Sequence, residues 1–210
     1  LGDVYKRQAM LYPVGLAPFA ARHPDRIMDV GIAEQHALTV AAGMATAGLH
    51  PVVALYSTFL NRAFDQLLMD VGLHEQGVTV VLDRAGITGT DGASHNGMWD
   101  LAICGIVPGL MMAAPRDRAH LESVLWQAID IDDRPTVIRY SKDPIPATVE
   151  VLRAIDEVDV LKEGAPGGVL MVAHGQLCGA AVEAATSLGE EVTVVSPRWA
   201  LPINPTLVSM

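Results

Sequence analysis

Arg26-Ile-Met-Asp-Val-Gly-Ile-Ala-Glu-Gln-His36 is the stretch from which the chain is best read. A strand-like run ends at Gly31, and a helix-like run opens with Ala33, Glu34, Gln35 and His36. The residues that follow, 37 to 47, are mostly apolar and small, so this helix is built to be buried. A carboxylate, an amide and an imidazole therefore fall on the first turn of a buried helix. Buried carboxylates are rare without a partner, because desolvating the anion is costly. Glu34 alone reads two ways: as a favourable charge at a helix N-terminus, or as a group with a proton or donor waiting for it.

Outward from this turn the pattern alternates. Strands are predicted over 27–30, 51–56, 78–82, 110–114 and 136–140, with helices over 32–47, 59–72 and 116–129 and a short one from Asp100. The run 78–82 is continuously apolar or β-branched, as in a strand covered on both faces. Strands alternating with helices predict an α/β fold with a doubly wound, mainly parallel sheet. Residues 1–25 carry three prolines and little periodicity, and irregular structure is expected there, with 1–8 matching nothing around them. A first domain is therefore expected over 26–142 and a linker over 143–167, where prolines, charges and the turn-former Gly164-Ala-Pro-Gly-Gly168 collect. A second α/β unit, 168–210, restarts with strand 169–173, helix 176–188 and strand 192–196. The chain opens on Leu1 and stops just after a strand, so it is expected to be a fragment with a truncated second domain.

Composition narrows the function classes. Half the residues are hydrophobic but only 5% are aromatic, so the core is aliphatic, as suits helices over a parallel sheet. A net charge of −10 argues against a nucleic-acid surface. Cys104 and Cys178 have neither disulfide-framework nor metal spacing and read as buried thiols in a reducing cytoplasm. No apolar run approaches the roughly 18 residues of a membrane span. No metal site is predicted.

In open α/β sheets ligands bind beyond the carboxyl ends of the strands, and the polar residues of this chain fall there. Glu34 follows the first strand, and Tyr56-Ser-Thr-Phe59 and Arg62 follow the second. The third is followed by Asp83-Arg84 and a loop containing Asp91, Ser94, His95 and Asn96 among glycines 86, 89, 92 and 97; Arg139 and Lys142 close the last. Singly, Tyr56 and Phe59 would be core aromatics, Arg62 and Arg84 solvated or paired, and His95 an exposed turn residue. Together they converge on one rim, and a long loop with its own polar content favours function. The glycines do not form a dinucleotide fingerprint, and there is no Walker A, H-E-x-x-H or G-x-S-x-G.

Three motifs carry a specific likeness: Asp29-Val-Gly-Ile-Ala-Glu-Gln-His36, Tyr56-Ser-Thr-Phe-Leu-Asn-Arg-Ala-Phe-Asp-Gln66 and Asp83-Arg-Ala-Gly-Ile-Thr-Gly-Thr-Asp-Gly-Ala-Ser-His-Asn-Gly97. They resemble the 1-deoxy-D-xylulose-5-phosphate synthase family, within the transketolase superfamily of thiamine-diphosphate enzymes. The resemblance runs from about Ala9 through the pyrimidine-binding domain to Lys142 and into the superfamily's C-terminal domain. It implies that Glu34 hydrogen-bonds the cofactor's aminopyrimidine and promotes the ylide. Phe59 would stack on that ring, with Tyr56 and Arg62 also at the cofactor. Tyr56, Arg62, Arg84, Asp91, His95 and Lys142 would face pyruvate and glyceraldehyde 3-phosphate, with His95 moving protons alongside Glu34.

Arginines suit bidentate phosphate or carboxylate contacts, whereas lysine binds phosphate as a point charge. Where the family often has arginine then glycine, this chain has Lys142-Asp143, which would weaken that contact. The family's Gly-Asp-Gly…Asn motif for Mg2+ and the diphosphate has no counterpart in these 210 residues. The resemblance further implies a homodimeric, cytoplasmic enzyme making precursors of isoprenoids, thiamine and pyridoxal. Two other readings are a beta-type subunit of a split transketolase and a non-catalytic α/β interaction domain. The last predicts loss of Glu34 or His95, and both are present.

Overall fold

The computed structural model describes the backbone of residues 4–7 and the whole of residues 11–210; the expectations for 1–3 and 8–10 lie outside the described residues. The chain forms two compact units, one running to Met111 and including Trp126–Lys142, the other made of Met112–Leu125 and Asp143–Met210.

The first unit is α/β. Its sheet is built from β1 (Val4–Arg7), β2 (Ile27–Asp29), β3 (Pro51–Tyr56), β4 (Thr79–Asp83), β5 (Met111–Ala113), of which only Met111 falls in this unit, and β6 (Thr136–Arg139). They form one sheet in the order β2-β1-β3-β4-β6-β5. The pairs β1/β2, β1/β3, β3/β4 and β4/β6 are all parallel. Every residue of β3 is buried, as expected of a central strand covered on both faces.

Helix α1 (Ala17–Arg22) precedes β2, and α2 (Glu34–Thr46) follows it. The buried positions of α2 are Glu34, Ala37, Leu38, Ala41 and Ala42, a single stripe at helical spacing. Gly31, at φ +70°, makes the turn that α2 follows, and its N–H is held by Asp29 Oδ1 at 3.0 Å.

Three local expectations change. Irregular structure was expected throughout 1–25, yet β1 pairs between β2 and β3, and α1 forms with Pro18 in its first turn, where no N–H is needed. The single helix expected over 59–72 is a 3₁₀ helix (Ser57–Ala63), one α turn, α3 (Phe64–Gln66), and a π turn (Leu67–Gly72). Its buried residues Ser57, Leu60 and Ala63 step by three, the 3₁₀ period, which turns the segment's inner face toward the sheet from its first residue. Helix α4 (Asp100–Cys104) starts where expected, and α5 (Arg118–Ile129) starts slightly later than expected.

The third change lies in the second unit. The stretch 143–167, read as a linker, carries β7 (Arg153–Ile155) and β8 (Val158–Lys162), which form an antiparallel hairpin. Its two-residue turn, Asp156-Glu157, has positive φ at both positions (46° and 66°), the geometry that matches the twist of the flanking strands. Strand β8 pairs antiparallel with β10 (Val192–Pro197), and β9 (Val169–Val172) pairs parallel with it, giving the order β7-β8-β10-β9. Helix α6 (Leu177–Leu188) packs on this sheet around Leu161, Ala173, Cys178, Ala185, Val192 and Val194, and α7 (Thr206–Ser209) ends the chain.

Candidate functional site

The parallel register brings the carboxyl ends of three strands level. Tyr56, the last residue of β3, stands opposite Asp83, the last of β4, and Leu82 stands opposite Arg139, the last of β6. The loops leaving β3, β4 and β6 therefore start side by side, and most of the predicted site residues are on them.

Four side chains make a continuous series at this rim. The Arg84 guanidinium lies over the Tyr56 ring, 4.2 Å from its centroid. The Tyr56 and Phe59 rings stack, with centroids 5.8 Å apart and 11° between planes. Phe59 then meets His95 edge-on at 5.7 Å and 70°. A second series runs through charge: Asp91 pairs one carboxylate oxygen with Arg84 and the other with Lys142 Nζ, the latter at 2.8 Å. Tyr56, Phe59, Arg84, Asp91, His95 and Lys142 are thus one cluster. Arg62 is exposed at the end of the 3₁₀ segment and is not joined to them, and Gln35 and His36 are exposed.

Electrostatics follow this packing. Hydrogen bonding from Lys142, then the charge of Arg84, hold the Asp91 carboxyl below its ordinary range. Burial pushes the Tyr56 phenol up, with Arg84 pulling against it. Burial also raises the Asp83 carboxyl, opposed by the hydrogen bond it accepts from the Arg84 N–H at 2.7 Å.

The loop carrying His95 is tied down at several points. Gly86 and Gly97 exchange backbone hydrogen bonds of 2.9 and 2.8 Å, closing the loop at its base. Asn96 Oδ1 accepts from both the N–H and the hydroxyl of Thr88. The Thr58 hydroxyl donates to the Ser94 carbonyl at 3.0 Å, and Ser94 Oγ lies 3.1 Å from His95 Nδ1. Beneath the loop, Asp100 is buried and accepts from Ser57 Oγ at 3.0 Å and Arg139 Nε at 2.7 Å. Asp100 has a sequence signal: it is a lone acid inside the apolar run Met98-Trp-Asp-Leu-Ala-Ile103.

Glu34 stands apart in kind. It is 2% exposed, and among the described residues no hydrogen bond or ion pair reaches its carboxylate. The helix it opens packs against the 57–63 segment that carries Phe59. A buried acid whose carboxylate has no side-chain partner among the described residues fits a ligand that brings its own donor. A nitrogen heterocycle with a ring N–H partner, lying against an aromatic side chain, has that chemistry. Among the described residues no group of three or more His, Cys, Asp or Glu side chains could hold a metal ion.

Comparison with known proteins agrees with this architecture. Residues 4–148 match the family described as transketolase, pyrimidine binding domain, and the chain belongs to that family. Among curated relatives, 1-deoxy-D-xylulose-5-phosphate synthase of Cutibacterium acnes is 74% identical over 200 residues, covering 95% of this chain and 32% of its own. The synthase of Pseudarthrobacter chlorophenolicus is 58% identical over 210 residues, with 96% and 32% covered. The chain therefore spans about a third of the length of the curated relatives it matches.

A solved structure described as a split gene transketolase, inactive beta4 tetramer, superimposes with a TM-score of 0.85 at 29% identity, covering 99% of this chain and 68% of that one. Transketolase from Campylobacter jejuni, at 19% identity and a TM-score of 0.85 over 95% of this chain and 33% of that one, shares the fold.

Proposed function

We propose that this chain is the pyrimidine-binding part of a 1-deoxy-D-xylulose-5-phosphate synthase, which joins pyruvate, with loss of CO2, to glyceraldehyde 3-phosphate. The observation that carries the reading is the buried acid Glu34 at the head of α2, which has no side-chain partner among the described residues. The 74% identity to a synthase supports the choice of reaction.

Glu34 would share a proton with the pyrimidine ring of thiamine diphosphate, the contact its surroundings leave unmade. Phe59 would lie against that ring, with Tyr56 behind it. When bound, the cofactor supplies a carbon nucleophile able to attack the carbonyl of an α-keto acid. Arg84 and Lys142 would take the anionic groups of the substrates, exchanging Asp91 for a carboxylate or phosphate. Arg62, free of the cluster and exposed, would meet substrate or cofactor from the rim. His95 would pass protons to and from the substrate oxygens; Ser94 beside Nδ1 leaves Nε2 for that task. Mg2+ would accompany the diphosphate on ligands outside these residues, in a homodimeric cytoplasmic enzyme.

The split-transketolase reading is the second, favoured by the structural match that covers nearly the whole chain. The gene product should form 1-deoxy-D-xylulose 5-phosphate from pyruvate and glyceraldehyde 3-phosphate, and Glu34→Ala should abolish CO2 release. Unaltered CO2 release in that variant would defeat the assignment, and use of ketose phosphates in place of pyruvate would favour the split transketolase.

A further inference from the structure

We propose that Asp100 is a positioning residue: with Ser57 and Arg139 it locks the His95 loop to the ends of β3 and β6. Asp100 touches neither ring nor substrate-facing cation. It is 1% exposed, and its Oδ2 receives both Ser57 Oγ, at 3.0 Å, and Arg139 Nε, at 2.7 Å, while Oδ1 receives the Leu101 N–H at 2.9 Å. Ser57 is the residue after β3, and Arg139 is the last of β6. One buried carboxylate therefore joins two strand ends that flank β4, from which the His95 loop departs.

The loop meets this clamp at Gly97. A β-carbon on Gly97 would lie 2.5 Å from Ser57 Cβ and 2.7 Å from the Arg84 carbonyl oxygen, so the backbone rests directly on the clamped serine. Gly97 is also the base of the loop, paired in both directions with Gly86, and His95 is two residues away. Phe59, which His95 meets edge-on, lies in the 3₁₀ segment that Ser57 opens. Both partners of the His95–Phe59 contact are thus referred to the same buried carboxylate. A charged hydrogen-bonded group in a dry site holds its partners firmly, and removing one member leaves the others unsatisfied.

The catalytic side of this proposal rests on the reading of His95 as the proton-moving group; the mechanical side does not. The test therefore starts from amide hydrogen exchange on the 210-residue chain, in wild type, Asp100→Asn and Ser57→Ala. Ser57→Ala keeps the Asp100–Arg139 pair and guards against Asp100→Asn failing to fold. In both variants the amides of Gly86 and Gly97 should exchange about tenfold faster or more, while those of β3 and β4 keep wild-type rates. The His95 imidazole NMR signals should shift in the same two variants.

In the active gene product kcat should fall about tenfold or more with KM within about twofold, because substrate contacts are untouched. Unchanged exchange over 86–97, or a uniform rise throughout the unit, would overturn the proposal. Wild-type protein inactive with pyruvate and glyceraldehyde 3-phosphate would instead defeat the functional reading and leave the exchange result standing.

Discussion

The guanidinium of Arg84 lies 4.2 Å from the centre of the Tyr56 ring, and Arg84 holds that place with its backbone at φ +60°. A non-glycine residue in the left-handed region costs on the order of 1 kcal/mol or more, and such strain gathers at functional sites. The side chain is kept there by the ring and by Asp91. Arg84→Gly and Arg84→Gln both remove those contacts, but only glycine also removes the strain. Urea unfolding should find the glycine variant more stable than the glutamine variant by about 1 kcal/mol. In both, the Tyr56 phenol should ionise at higher pH than in wild type, because Arg84 pulls it down. Spectrophotometric titration would register that change.

Glu34 should cost stability where it stands. The residue is 2% exposed and no hydrogen bond or ion pair reaches its carboxylate among the described residues; a polar group left without a partner in such a place costs up to about 1–3 kcal/mol. Glu34→Leu in the cofactor-free chain is expected to raise the free energy of unfolding in urea by up to that amount, while removing any response of the urea midpoint to added thiamine diphosphate. A lower midpoint in the leucine variant would mean that the carboxylate has a stabilising partner in solution.

The second unit carries a pH-dependent element. His120 is buried; its Nδ1 lies 3.4 Å from the Arg116 backbone nitrogen and from the Arg116 guanidinium, and its Nε2 has no partner among the described residues. Burial, then the charge of Arg116, push its pKa down from 6.5 to about 4. The unfolded chain takes up the proton near 6.5 and the native chain only near 4, so between these values the unfolded state binds more protons. Stability is therefore lost as pH falls through that window, by on the order of 3 kcal/mol from this group. Urea midpoints from pH 7 to pH 4.5 should fall, and His120→Gln should flatten part of the decline.

Both thiols should be inert in the native protein. Burial, then repulsion from Asp100, push Cys104 up to about 12, and burial raises Cys178 as well. The thiolate is the reactive form. A disulfide reagent at pH 8 should titrate no cysteine until denaturant is added, and then two.

The βα alternation, the buried strand β3 and the run of polar residues after β3, β4 and β6 were legible because each obeys one local period or one topological rule. The 3₁₀ segment was not, because Phe59, Leu60, Ala63 and Leu67 satisfy helical spacing about as well as a three-residue step. The β7–β8 hairpin was hidden by its turn: Asp156-Glu157 adopts positive φ without the glycine or asparagine that announces it. Asp100 was legible as a helix start but its pairing was not, because its partners, Ser57 and Arg139, are 43 and 39 residues away along the chain. Pairings of that reach are set by strand order, which short-range periodicity does not encode.

The buried stripe of α2 has a consequence for how this site can vary. Glu34 occupies the same helical face as Ala37, Leu38, Ala41 and Ala42. The acid is indexed by the helix, not by the turn that precedes it. An added residue among 31–33 would be absorbed by the turn, since rotating α2 would expose four apolar positions to return one charge to water. Loop length and acid placement are therefore separable. Substitutions that rotate α2, such as a bulky residue at Ala37 or Ala41, would displace Glu34 without touching it.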